Sequence, residues 1–257
     1  MYHDVVDRGE YDSSGPSIVG ANAYKLDRTD FERHLAAIRQ AVSEGAVAST
    51  AGFTEWDSRV PVFLTFDDGG ASAYTCIAEL LERQGWRGHF FITTDWIGTP
   101  GFVTAAQIRE LDSRGHVIGS HSRSHPTRMS ACSPAQLAQE WTESVKVLAG
   151  ILDKQVTVAS VPGGYFSDAV AEAAASAGIK ILFTSEPTSH GRTIGGCLVL
   201  GRNVLKQGAS AETAAGFAAL RFWTCARQSL EWKLKLVTKR VSAPLYLKIR
   251  ATLMGNR

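Results

Sequence analysis

Short apolar runs of strand type alternate with amphipathic stretches of helix type along most of the chain. The β-rich runs are Tyr2–Val6, Val60–Phe66, His89–Thr93, His116–Ser120, Val156–Val161, Ile179–Thr184 and Cys197–Gly201, seven in all. Their shortness and their β-branched and aromatic content fit buried strands. Between them, Thr29-x-x-Glu32, Thr104-x-x-Gln107 and Ser133-Pro134-x-Gln136 read as capping boxes that open helices. Gly85, Gly115, Gly150 and Gly178 read as the glycines that end them. The first helix carries Phe31, Leu35, Ile38 and Val42 on one face, a stripe suited to packing on a sheet.

Repeated strand–helix units predict a parallel sheet covered by helices. Seven short strands suit a distorted seven-stranded (β/α) barrel, TIM-barrel-like, better than an open doubly wound sheet, because the unusual residues collect at the strands' C-terminal ends. In barrels that end carries the chemistry. Asp67-Asp68 follow the second strand, Thr93-Thr94-Asp95 the third, His121 the fourth, Pro162-Gly163-Gly164 the fifth, Thr184-Ser185-Glu186 the sixth and Arg202-Asn203 the seventh. All are expected at one mouth. The expected division is a barrel over residues 1–220 and a basic, aromatic-containing helical tail over 221–257.

Composition adds little to the body and something to the tail. The chain of 257 residues is 44% hydrophobic and 20% charged, as in an ordinary globular protein. Its formal net charge of +2 hides an asymmetry: nine Lys/Arg face the single Glu231 from Arg221 onward, leaving 18 basic against 24 acidic residues before it. The tail mixes those cations with Trp223, Trp232, Leu234, Leu236 and Tyr246. Such a segment suits an anionic membrane surface or an acidic glycan, or else a terminal helix docking its apolar face on the barrel. No motif accompanies the charge that would point to nucleic acid. Cys76, Cys132, Cys197 and Cys225 have no paired spacing and read as reduced thiols. With no signal-peptide pattern and no apolar run long enough to span a bilayer, the expected location is cytoplasmic, either free or peripheral at the inner face of the membrane.

Two segments carry chemistry. VFLTFDDGG places adjacent carboxylates, Asp67 and Asp68, where an apolar strand stops, so that their side chains point apart and can take different tasks. The same Asp-Asp-Gly-Gly is also good turn chemistry. HVIGSHSRSHP supplies His121 and His125 at i, i+4, a spacing that lets two imidazoles meet one ion, or that leaves two surface histidines in a serine-rich loop. Taken together, two imidazoles and a carboxylate form a facial set with open positions for water and substrate. A second carboxylate beside it can take a proton from that water.

At these residues the chain resembles the polysaccharide deacetylases of carbohydrate esterase family 4, the NodB-homology domain, over roughly Val60 to Asn203. TFDDG followed about 50 residues later by HSRSHP is the pairing that carries the resemblance. It implies Asp67 as the general base and Asp68, His121 and His125 as ligands of a divalent metal, Zn2+ with Co2+, Ni2+ or Mn2+ as alternatives. It also implies hydrolysis of acetamido groups on a polysaccharide or its lipid-linked precursor, with an acetylated glycan as partner.

Two departures stand out. Where the family has Arg-x-Pro-Tyr, this chain reads Ser160-Val161-Pro162-Gly163-Gly164-Tyr165, as in a PGG-type subgroup. The backbone of that turn could hold an oxyanion, or simply make a tight β–α turn. Where the family has Leu-x-His, CLVLGRNVL has no histidine, leaving His190 and His3 as candidate proton donors. Arg202 is expected to pair with Asp67 and keep it ionised, in place of the absent arginine. Trp96 and Tyr165, with Phe166, could stack on sugar rings or pack the rim. The alternatives are hydrolysis of an O-acetyl ester, a formamide or a non-sugar amide, and a non-catalytic sugar-binding module on the same scaffold.

Overall fold

The computed structural model describes residues 1–17, 20–50 and 61–241, with side chains to Leu234. Its strands are β1 (Asp4–Val6), β2 (Lys25–Asp27), β3 (Thr65–Phe66), β4 (His89–Ile92), β5 (Val117–Ser120), β6 (Val158–Ser160), β7 (Ile181–Phe183), β8 (Arg192–Ile194) and β9 (Cys197–Leu200). The helices are α1 (Arg28–Ala41), α2 (Ala78–Glu82), α3 (Ala105–Ser113), α4 (Pro134–Leu152), α5 (Asp168–Ser176), α6 (Ala211–Ala218) and α7 (Phe222–Val241). Each of the seven predicted runs contains one strand. The start of the second run, Val60, and the tail beyond Val241, Tyr246 included, lie outside the described residues.

β3, β4, β5, β6, β7 and β9 pair in that order, all parallel, and β8 adds antiparallel to β9. The sheet curls, and the extended Met1–Tyr2 segment fills the gap between its ends. Tyr2 donates to Thr65 O at 2.8 Å on one side, and Leu205 donates to Met1 O at 3.0 Å on the other. The result is the distorted seven-stranded (β/α) barrel that the pattern predicts.

Alternation along each strand sorts side chains between two cores. Phe66, Phe90, Ile92 and Ile118 point outward into a cluster with Phe31, Leu35 and Ile38 of α1 and Leu81 of α2. Ala159, Leu182 and Val199 do the same against Trp141 of α4 and Val170 and Ala174 of α5. Phe91, Val158, Ile181, Phe183 and Leu200 point inward and fill the barrel. Gly119 on β5 makes room for that filling: a β-carbon there would lie 2.6 Å from the Phe91 ring and 2.7 Å from Val158 O.

Local chemistry differs from the expected pattern at four places. Asp27, not Thr29, caps α1, its carboxylate accepting from Thr29 N–H at 2.9 Å. Gly150 lies inside α4, which ends two residues later at Leu152, just before a left-handed Asp153. β2 has one apolar residue, Leu26, and so gave no strand signal. It forms by pairing parallel to β1 in a separate two-stranded sheet, with Lys25 buried and its Nζ donating to Tyr11 O at 2.5 Å. β8 is mostly exposed, but Gly195-Gly196, with φ of 57° and 86°, make a two-residue hairpin turn into β9. The other two capping boxes, at Thr104 and Ser133, are present, and all four cysteines are free thiols.

Candidate active site

The residue after each inward apolar side chain's next outward neighbour points inward again, and at the mouth that position is polar. Thr65 and Asp67 follow this rule from β3, His121 from β5, Ser160 from β6 and Arg202 from β9. Asp67 is fully enclosed, and the Arg202 guanidinium grips it with two bonds, Nη1 to Oδ1 and Nη2 to Oδ2, each 2.8 Å. Arg202 is itself held: Nε donates to Thr184 O at 3.1 Å, Nη1 to Thr65 Oγ1 at 3.1 Å, and the Phe91 and Phe183 rings lie beneath it at 5.6 and 5.8 Å. Burial would raise the Asp67 carboxyl, but Arg202, then His121, hold it well below the usual carboxylate range.

Asp68, one residue on, has the left-handed φ of 76°. Of the five described non-glycine residues with positive φ, three are Asp68, Ser122 and His125, so the backbone is constrained where the side chains must converge. Asp68 Oδ1 is 3.4 Å from His121 Nε2 and 3.6 Å from His125 Nε2. Donor atoms of the three residues all lie within 4.8 Å of one another. The far side of the His121 ring is fixed: Nδ1 lies 3.0 Å from Ser160 O and 2.6 Å from Ser160 Oγ. The carbonyl can only accept, so the hydrogen is on Nδ1 and Nε2 faces Asp68. His125 stacks on Trp96, with ring centroids 5.3 Å apart and planes at 25°.

These donors fit a divalent cation. Two imidazole nitrogens and a carboxylate oxygen point at one place, and Asp68 Oδ1 is buried without a protein hydrogen bond. The charges agree. Burial lowers the His121 pKa, yet Asp67 and Asp68 more than offset it and the net shift is upward. Asp68 is lowered against burial by the adjacent His121 ring and by the charges of His3, His121 and His125. Two carboxylates thus draw positive charge onto an enclosed imidazole, and a cation would supply that charge directly.

The other expected residues are placed unevenly. His3 sits close enough to Asp68, Asp67 and His121 to feel their charges. Burial lowers its pKa, and its Nδ1 has no hydrogen-bond partner. His190 is exposed on the β7–β8 connection, lining a cavity with Pro61, Leu200 and Arg202, and it is not among the metal-ligand group. A polar, glycine-flanked loop beyond the strand end carries it outward. Pro162-Gly163-Gly164 form one tight turn with φ of 64° and 69° at the glycines. Tyr165 lies under the Arg128 guanidinium at 5.2 Å. Trp96 meets His125 on one side and Phe102 on another, so part of its surface is used in packing.

Sequence reasoning treated Ser160 only as the place where an arginine is missing. In the structure it joins the two halves of the site, donating to Asp67 Oδ1 at 3.1 Å while meeting His121 Nδ1. A small polar residue at an inward strand position was the available signal. Thr93 and Thr94, at the end of the third strand-type run, are both buried with unpartnered hydroxyls.

Residues 57–182 match the family model for polysaccharide deacetylase. The chain is 25% identical over 183 residues to YxkH of Bacillus subtilis (strain 168), covering 70% of this chain and 65% of that protein. It is 31% identical over 146 residues to a chitin deacetylase of Pestalotiopsis sp., covering 52% of this chain and 47% of that one. The chain thus spans half to two thirds of the length of these relatives. Among solved structures, the Streptococcus pyogenes deacetylase PplD in complex with acetate aligns with a TM-score of 0.65 at 20% identity, covering 82% of this chain and 93% of that one, which shows a shared fold. The barrel, the TFDDG and HSRSHP segments at its mouth and the family match agree: over residues 57–182 this chain matches the polysaccharide deacetylase family.

Proposed function

We propose that the protein is a metal-dependent hydrolase that removes acetyl groups from N-acetylated sugars of a polysaccharide or of its lipid-linked precursor. The observation that carries this reading is the convergence of Asp68, His121 and His125 beside an Asp67 held ionised by Arg202. Asp68, His121 and His125 would hold the cation, Zn2+ with Co2+, Ni2+ or Mn2+ as alternatives, and it would supply Lewis acidity toward the acyl oxygen and toward water. Asp67 takes the proton from the attacking water, and its Arg202 and Ser160 partners fix both its charge and its direction. His3, rather than His190, is the histidine beside these groups; because burial favours its neutral ring, it is the candidate to take up the proton released from water and relay it to the leaving amine. The Pro162-Gly163-Gly164 backbone offers donors near the developing oxyanion. Trp96 and Tyr165 offer ring faces to the sugar.

The test is acetate release from N-acetylglucosamine oligomers and lipid-linked saccharides, with and without a chelator, alongside metal analysis of the purified protein. Chelator-sensitive release that Asp67→Asn abolishes is expected. Bound metal with no release from any acetylated glycan, and an Asp67→Asn variant indistinguishable from the parent, would leave a sugar-binding module instead.

A further inference from the structure

Helix α7 has two faces with different fates. One is docked beside the mouth. Gln228 exchanges two hydrogen bonds with the Val204 backbone, at 2.8 and 2.9 Å, and Ser229 Oγ donates to Pro187 O at 2.9 Å. Trp232 reaches the Pro-Gly-Gly turn, where a β-carbon on Gly164 would lie 3.4 Å from its ring. The opposite face meets nothing among the described residues that covers it. Trp223 and Leu230, two helical turns apart and so on one side, are 81% and 60% exposed, and Phe222 beside Trp223 is 71% exposed. The Phe222 and Trp223 rings touch edge to face, with centroids 5.1 Å apart. Two large aromatics and a leucine clustered in water mark a contact surface.

Charge decides what the contact is with. Arg221–Val241 contains six Lys/Arg and a single acid, Glu231, which Arg227 pairs at 3.2 Å. An identical helix would be repelled by that charge, whereas anionic headgroups would be attracted to it. No described helix is long and apolar enough to cross a membrane, so α7 could lie on a bilayer but not span one. We propose that α7 rests on an anionic lipid surface through Phe222, Trp223 and Leu230, its other face keeping the barrel mouth close to that surface. The mouth then meets glycan carried at the membrane. That consequence rests on the deacetylase reading; the lipid contact itself does not.

The test uses the full chain and sucrose-loaded vesicles of phosphatidylcholine alone or with phosphatidylglycerol at about three parts in ten. The protein is expected to sediment with the anionic vesicles and not with the neutral ones. Trp223→Glu with Leu230→Glu should leave it in the supernatant without changing its melting temperature or its acetate release from soluble oligosaccharides. Lys233→Glu should weaken anionic-vesicle binding by about fivefold or more, and raised salt should reverse it. A wild-type protein that stays soluble with anionic vesicles at low salt would overturn the proposal. So would a Trp223→Glu, Leu230→Glu variant that sediments as well as the parent, or one that merely turns a concentration-dependent dimer into a monomer. Failure of acetate release with vesicle binding intact would instead remove the deacetylase reading and leave the lipid contact standing.

Discussion

The barrel interior consists of two layers, which on β6 and β9 lie two residues apart, and they behave oppositely. Below, Phe91, Val158, Phe183 and Leu200 form a dry plug. Above, Asp67, His121, Ser160 and Arg202 form a polar layer whose members are all less than a tenth exposed. The difference teaches why the charges sit where they do. An enclosed carboxylate is costly unless paired, and the plug that excludes water from beneath makes the Arg202 grip on Asp67 both necessary and strong. The lower layer holds the fold; the upper layer spends packing regularity on chemistry and has unpartnered polar atoms at Asp68 and His3.

Substitutions can separate the layers, the largest effect coming first. Asp68→Ala should remove bound metal and lower acetate release by about 10⁴-fold, the scale of several kcal/mol of charge stabilisation, while the protein still melts cooperatively. Phe183→Ala in the lower layer should destabilise the protein by about 4 kcal/mol in denaturant unfolding, yet leave metal content intact below its melting transition. Loss of metal without loss of stability in that variant would break the comparison.

Arg202→Ala should lower turnover by about 100-fold with metal content unchanged, read by parallel activity and metal analysis. It also has a pH signature. With Arg202 present the folded pKa of Asp67 lies below the unfolded carboxylate value. Its stabilisation is therefore complete above the unfolded value and is lost as pH falls through the folded one. Without the guanidinium, burial raises the Asp67 pKa, so the acid limb of the pH–rate profile and the onset of acid unfolding should both move to higher pH. Ser160→Ala is the mildest change: about tenfold in activity or metal affinity is expected, since it loosens both Asp67 and the His121 ring without removing either. An unchanged Ser160→Ala enzyme would show that the His121 orientation depends on the Ser160 backbone carbonyl alone.

Legibility in the sequence followed the range of the interaction involved. Thr104 and Ser133 cap their helices through residues three positions away, so they could be read directly. β2 could not be read, because Lys25 is buried only by virtue of a backbone carbonyl at Tyr11. The hairpin turn at Gly195-Gly196 was a readable signal, but the exposed β8 has little apolar content to draw attention to it. Within the site, Asp67, Asp68, His121 and His125 stand in compact motifs and could be named from spacing. Ser160 could not, since its importance lies in reaching Asp67 across 93 positions and His121 across 39. His190 and His3 looked equivalent as unassigned histidines. Only the path of the β7–β8 loop, which carries His190 to the surface, distinguishes them.

The amino-acid sequence by itself determined the alternating units, the strand ends that carry polar residues and the four-residue core of the candidate chemistry, because periodicity, capping and short motifs are local properties of the chain. The Arg202–Asp67 pairing was an expectation from the sequence; tertiary structure alone decided its geometry and how the other residues share direction. Curling the sheet brings β3, β5, β6 and β9 into one ring, so that Arg202 meets Asp67 and Ser160 fixes His121 in an environment with little water to screen them. It also laid α7 along the rim with one face docked and the other exposed, a division that depends on the barrel surface beside it and that no pattern within the helix could reveal.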